Sequence, residues 1–290
     1  MCEVLRIGAA FRNACLRQGS GEVHSTFRRV VNVSFGGELL ALALPEAGGS
    51  SRFLTLDPLH PFEPGTPCWF RPHEFEIAGL KLDLTEVPVW AGPLHQSSCG
   101  PLSLDADAIS VFKGLLARHQ IAPGIDAGFS IEPETVIRWL GLGPGLTPSG
   151  DDVLLGFLAF YQEFGSNQPW AEELKSSLCS QLDRTTDLSA QLLRSACARD
   201  YHEFIQRMIA ALAGLPSSLP GGPPSSPPSS PPSSLPSSLP SGLPSSLPSG
   251  QLPLEGCFEA LLAVGASSGQ DMLFGMGEAL ARIEGEQHLR

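Results

Sequence analysis

Basic charge is scarce in this chain of 290 residues. It carries 18 Lys+Arg against 30 Asp+Glu, a net charge of −12, and its only lysines are Lys81, Lys113 and Lys175. Nucleic-acid binding leaves a basic footprint; the nearest candidate, Arg28-Arg29 beside His24, is too small to make one. Long apolar runs are missing too. Val153–Phe160 and Met208–Leu215 are eight residues each and both contain glycine. A membrane-spanning helix needs about 20 apolar residues, so no span is expected. Met1 to Ser20 has no charged start leading into a long apolar run, so no secretory signal is expected either.

Several catalytic signatures are also lacking. The histidines His24, His60, His73, His95, His119, His202 and His288 form no H-x-x-x-H and no H-E-x-x-H, which removes the usual helical zinc site. No G-x-S-x-G elbow occurs. The seven cysteines are odd in number, widely spaced and without a C-x-x-C. That argues against both a zinc ribbon and a disulfide scaffold. Free thiols in a reducing cytoplasm are the expectation. Cys99-Gly100-Pro101 after His95 is a weak candidate for a Cys–His pair.

What is present divides the chain. From Pro216 to Pro253 the sequence holds only Pro, Ser, Leu, Gly and one Gln, 38 residues without a charge. Leu215–Gly250 parses as nine proline-containing tetrads, LPSS, LPGG and PPSS among them. Such a tract cannot bury a core and favours extended polyproline II. It lacks the flanking Arg or Lys that orients a docking ligand, so it reads as an expanded disordered insertion, 215–253.

The first hundred residues read as β. Val30–Phe35 and Leu39–Leu44 flank Gly36-Gly37, a hairpin signal. Phe53–Leu56, Cys68–Phe70, Phe75–Ile77 and Leu80–Leu84 continue the pattern, punctuated by Asp57-Pro58, Glu63-Pro64-Gly65 and Ala78-Gly79. Leu5–Ala14 fits a helix or a first strand. From about Leu102 the period becomes helical: Ala106–His119, a helix opening at Glu132 and ending at Gly141, then Gly150–Phe164, Pro169–Leu182, Asp187–Ala213, Leu254–Val264 and Gly269–Ile283. The fold class is α+β. A small β-rich N-terminal barrel or sandwich, 1–101, precedes a mostly α-helical domain, 102–290, which carries the Pro/Ser/Leu-rich insertion.

The chemistry-bearing segment is Gly141-Leu142-Gly143-Pro144-Gly145-Leu146-Thr147-Pro148-Ser149-Gly150-Asp151-Asp152, just before an apolar helix. Glycines permit positive φ and close backbone approach. A helix beginning after Ser149 would offer free N–H groups to an anion or carbonyl. No lysine follows, so this is not a P-loop, and no strand precedes it, so it is not a dinucleotide fingerprint. A second copy follows later. Ser149–Gly156 aligns without gaps to Ser268–Gly275, sharing S-G-x-D-x-L-x-G.

Capping alone accounts for part of this pattern. S-x-x-D is a capping box, Ser149 with Asp152 and Ser268 with Asp271. It leaves the glycine loop and Asp151 unexplained. Thr185-Thr186-Asp187-Leu188-Ser189 opens another helix, with Thr186 as N-cap and hydroxyls that could serve a phosphate or carboxylate. The candidate ligand-binding residues are therefore Gly143, Gly145, Thr147, Ser149, Gly150, Asp151, Asp152, Thr185, Thr186, Ser268, Gly269 and Asp271. Asp151, Asp152 and Asp271 could hold Mg²⁺ only if they converge; with capping competing for them, no metal and no cofactor is assigned.

The G-L-G-P-G-L-T-P-S-G-D-D segment, with G-A-S-S-G-Q-D-M-L-F-G at Gly265–Gly275, resembles a bacterial family long described as a domain of unknown function. That family includes the AllH-type subunit of oxamate carbamoyltransferase. Thr185–Ser189 and the G-P-L-S-L at Gly100–Leu104 add to the likeness. The resemblance implies carbamoyl transfer between oxalurate or oxamate and phosphate, in purine and allantoin nitrogen catabolism. It implies other subunits of a carbamoyltransferase-like complex as partners and a small anionic substrate of the oxalurate or carbamoyl phosphate type. It assigns no catalytic residue. The alternative is a non-catalytic assembly or binding subunit whose glycine motifs pack helices against a partner.

Overall fold

The computed structural model describes residues 3–92, 94, 102–122, 131–215 and 253–288. His95, Cys99, Gly100 and residues 216–252 of the proline-rich tract lie outside them. Eight strands form one sheet: β1 Glu3–Ile7, β2 Gly19–Thr26, β3 Val30–Phe35, β4 Glu38–Ala43, β5 Phe53–Asp57, β6 Pro67–Arg71, β7 Glu74–Ile77 and β8 Leu80–Asp83. Their order is β1-β5-β4-β3-β2-β6-β7-β8, antiparallel throughout except β4 with β5. The β3–β4 hairpin turns on Gly36 and Gly37, with φ of 58° and 80°, the pair of positive angles that a two-residue turn of the right twist requires. After β8 the chain runs back along β1: Ile7 N donates to Pro88 O at 3.0 Å and Trp90 N to Ile7 O at 2.8 Å. The sheet thus becomes a nearly closed barrel.

Leu5–Ala14, open between helix and strand in the sequence, splits into β1 and helix α1, Ala9–Arg17. That helix plugs the barrel. Its buried Phe11 lies 5.6 Å from the Phe70 ring and 5.4 Å from the Phe75 ring. These rings and the inward residues of the strands form one apolar core. A second core belongs to the helices: α2 Ala106–Arg118, α3 Ser149–Phe164, α4 Gln168–Cys179, α5 Asp187–Cys197, α6 Glu203–Leu212, α7 Leu254–Leu262 and α8 Ser268–His288. Helix α3 is the axis, since all of its residues are buried. None of the described helices is long and apolar enough to cross a membrane.

Two expected helices differ. Glu132–Gly141 holds only a short 3-10 turn at Val136–Arg138; the Thr135 hydroxyl accepts from the Glu132 amide at 3.1 Å and folds the entry into a turn. The expected Asp187–Ala213 helix breaks into α5 and α6. The break lies at Arg199, whose φ is +58°, a left-handed conformation that an α-helix cannot contain. The turn sends Arg199 Nη2 to the Gln162 carbonyl at 2.8 Å and sinks Tyr201 beside Glu163.

Candidate functional site: two paired helix starts

Helices α3 and α8 cross with their N-termini together. The crossing is reciprocal. A Cβ on Gly156 would sit 2.0 Å from the Met272 carbonyl oxygen, and one on Gly275 would sit 2.0 Å from the Val153 carbonyl oxygen. Each motif's last glycine therefore lies against the backbone of the other motif, at equivalent positions. Gly150 and Gly269 are likewise pressed on the carbonyls of Trp139 and Leu261. Only glycine allows backbone approach this close. The two motifs are thus related by a local pseudo-twofold.

The shared Ser and Asp do not form capping boxes. Helix α3 begins one residue earlier than a Ser149 cap requires: Pro148 is the N-cap, and no side chain caps it. Its carbonyl accepts from the Asp151 and Asp152 amides at 2.9 and 3.2 Å. In α8 the Ser267 carbonyl accepts from the Asp271 amide at 2.9 Å. The first helical turn is also less open than expected. Gly150 N donates to Leu142 O at 2.8 Å, and Gly269 N donates to Val264 O at 3.0 Å. The amides of Gly150, Asp151 and Asp152 are consumed by the fold, so this helix start is not an anion cradle of free N–H groups. Ligand capacity passes to the side chains.

Those side chains divide into two groups. Asp151 serves the loop. Its Oδ1 accepts from the Gly141 amide at 2.9 Å and its Oδ2 from the Thr185 hydroxyl. Burial raises its pKa, opposed by those bonds. Thr186 caps α5, accepting from Ser189 N at 3.1 Å, and donates to the Leu146 carbonyl at 2.5 Å. So Asp151, Thr185 and Thr186 hold Gly141–Leu146 in place. In that loop Gly141, Gly143 and Gly145 have φ of 70°, 115° and 100°, each outside the comfortable range of a side-chain-bearing residue.

Asp152 faces the seam between the helices. The Thr147 and Ser268 hydroxyls are 3.1 Å apart across that seam, and both interact with the Asp152 carboxyl. Asp271 approaches from the second copy. Asp152 is 3% exposed, Asp271 is fully buried, and Asp152 Oδ2 is buried with no hydrogen-bond partner. Burial, reinforced by the charges of Asp271 and Asp151, pushes the Asp152 carboxyl up to about 7 against the pull of the two hydroxyls. A carboxyl near neutrality can donate as well as accept.

Of the residues expected from sequence, Thr147, Asp152, Ser268 and Asp271 meet at this seam. Ser149, Gly150 and Gly269 are buried packing positions beside it, and Gly143 and Gly145 form the loop above it. Sequence reasoning left out Gly141, whose amide bonds Asp151, and Ser189, whose amide the Thr186 hydroxyl caps. The T-T-x-x-S spacing carried the signal for Ser189, placing it at the third residue of α5. Among the described residues, no three His, Cys, Asp or Glu side chains are grouped to hold a metal ion.

Among the described residues, an N-terminal barrel precedes a helical layer in which the paired S-G-x-D starts bring hydroxyls and carboxyls together in a buried helix seam. Residues 139–218 match the family model described as oxamate carbamoyltransferase subunit AllH. That span contains the glycine loop, the first helix start and the Thr185–Ser189 segment, and ends before the second helix start. Comparison with curated proteins and with solved structures gives no significant match.

Proposed function

We propose that this chain is a subunit of an oxamate carbamoyltransferase-like complex and that the seam binds the carbamoyl end of a small substrate such as oxalurate. The observation that carries this reading is Asp152: buried, close to neutral pKa, with an oxygen that no protein group satisfies. A carbamoyl group offers an –NH₂ donor and a carbonyl acceptor. Asp152 can accept from the first, and the Thr147 and Ser268 hydroxyls can donate to the second. Transfer of this group needs positioning and charge stabilisation rather than a covalent nucleophile. The seam's carboxyls disfavour a bare phosphate, so in this reading the other subunits supply the cationic side of the reaction. The setting is the cytoplasm, in purine and allantoin nitrogen catabolism.

The assembly-subunit reading has less support, because Gly156 and Gly275 are already spent on packing α3 against α8 within the chain. Co-purification with candidate partner subunits, followed by assay of phosphate-dependent oxalurate cleavage, tests the proposal. Asp152→Asn in the assembled enzyme should lower the rate about a hundredfold, the scale set by losing one preorganised polar contact. Unchanged activity and substrate affinity would overturn the assignment. Activity in the isolated chain would remove the assembly-subunit reading.

A further inference from the structure

Away from the seam, Cys179 and Cys197 are the last residues of α4 and α5. Their Sγ atoms are 3.1 Å apart. A disulfide places them at about 2.05 Å, so closure asks for a movement of about 1 Å. Cys179 is exposed and Cys197 is half-buried, giving one sulfur open to an oxidant and one behind it. Lys175 and Arg194 stand beside the pair.

We propose that Cys179 and Cys197 form a reversible redox pair, with Cys179 the sulfur that reacts with a hydroperoxide and Cys197 the sulfur that resolves it. The Cys179 thiol is pulled down to about 7, first by the hydrogen bond from Cys197 and then by Arg194 and Lys175. The Cys197 thiol is raised, chiefly by that same bond and by burial, so it keeps its proton. A low-pKa accessible thiolate next to a second thiol is the arrangement that oxidises selectively. The other described cysteines contrast with it: Cys15 and Cys68 are buried with thiols pushed up to about 12, and Cys257 is buried and raised.

The step balances. The Cys179 thiolate attacks one peroxide oxygen and the O–O bond breaks. The products are a Cys179 sulfenic acid and, after protonation, water or an alcohol. Cys197 sulfur then attacks the Cys179 sulfur and the S–O bond breaks. The departing hydroxide takes the Cys197 proton and leaves as a second water. Two thiols lose two electrons and the hydroperoxide gains them. The bond would tie the ends of α4 and α5 together, closing a loop that contains Thr185 and Thr186.

The test uses the full chain with Cys2→Ser and Cys99→Ser, treated with hydrogen peroxide, alkylated and digested with trypsin. Cleavage after Lys175, Arg184, Arg194 and Arg199 separates the two sulfurs onto peptides 176–184 and 195–199. The expected product is these two peptides linked, lighter by two hydrogens than the free pair, and released by dithiothreitol. Cys197→Ser should lose the link entirely and leave a dimedone-reactive sulfenic acid on Cys179. The proposal is overturned if both thiols remain alkylatable. It is equally overturned if Cys179 proceeds to sulfinic acid or to an intermolecular bond while Cys197 stays free. Neither result bears on the carbamoyl reading, which the seam carries alone.

Discussion

Ser149–Gly156 at the head of α3 and Ser268–Gly275 at the head of α8 correspond in backbone bonding and in reciprocal glycine contacts. They differ in what surrounds them. The first start lies under a glycine loop braced by Asp151, Thr185 and Thr186. The second has Gln270 where the first has Asp151, and Gln270 reaches an exposed carbonyl, that of Ala122, at 2.7 Å. Shared residues build the crossing; unshared ones build the loop. The S-G-x-D-x-L-x-G frame is thus a packing device in both copies. The first copy adds a braced loop to that frame, and this is the side on which the proposed ligand site would form.

The largest expected effect tests the equivalence. Gly156→Ala and Gly275→Ala each force a methyl onto a backbone oxygen that cannot swing away. Each should cost about 4 kcal/mol or more, at the severe end of single substitutions. Thermal or denaturant unfolding of the two variants checks this. If one glycine tolerates alanine and the other does not, the reciprocal crossing is wrong.

The next effect separates the copies through pH. In the folded chain Asp152 is held up to about 7, against 3.8 for the unperturbed group. Between those values the folded state binds the proton more tightly than the unfolded chain. Asp152 therefore favours folding fully below about pH 4, and that contribution is lost as pH rises to about 7. The span is at most about 4 kcal/mol, and about 2 kcal/mol is expected once relaxation at the site is allowed for. Asp152→Asn should flatten the decline in stability between pH 4 and 7. Urea unfolding across that range checks it, and an unchanged slope would mean that Asp152 is not held near neutrality.

How far the sequence displayed all this follows from the kind of signal each part leaves. Strands β3 to β8 were visible because their apolar residues lie between turn residues. Strand β2 was not, because G-S-G-E-V-H-S-T buries only Val23. The break between α5 and α6 was hidden because Arg199 takes a positive φ without a glycine to announce it. At the site, the motif residues were legible but their jobs were not. S-x-x-D signals a capping box, yet Pro148 takes the cap and frees Asp152 for the seam. Whether two distant motifs meet is a tertiary fact; the interdependence of Gly156 and Gly275 appears only once α3 and α8 are packed.

The smallest expected effects sharpen the asymmetry, because they probe the bonds made by Asp151 and Gln270, the two residues at one position in the frame. Thr185→Val removes a hydroxyl from the buried Asp151 carboxylate and leaves that oxygen short of a donor. The cost should be about 1.5 kcal/mol, since Asp151 keeps its bond from Gly141 and a single hydrogen bond to a buried carboxyl is lost. Gln270→Ala removes an exposed bond in the second copy and should cost less than about 0.5 kcal/mol. The two also differ in kind. Thr185→Val loosens the support of Gly141–Leu146, so protease or hydrogen-exchange protection should fall in that loop. Gln270→Ala should leave protection at both helix starts unchanged. If Gln270→Ala instead exposed the seam as much as Thr185→Val, the second copy would be bracing the site as the first does, and the division between a packing frame and a loop-bearing frame would fail.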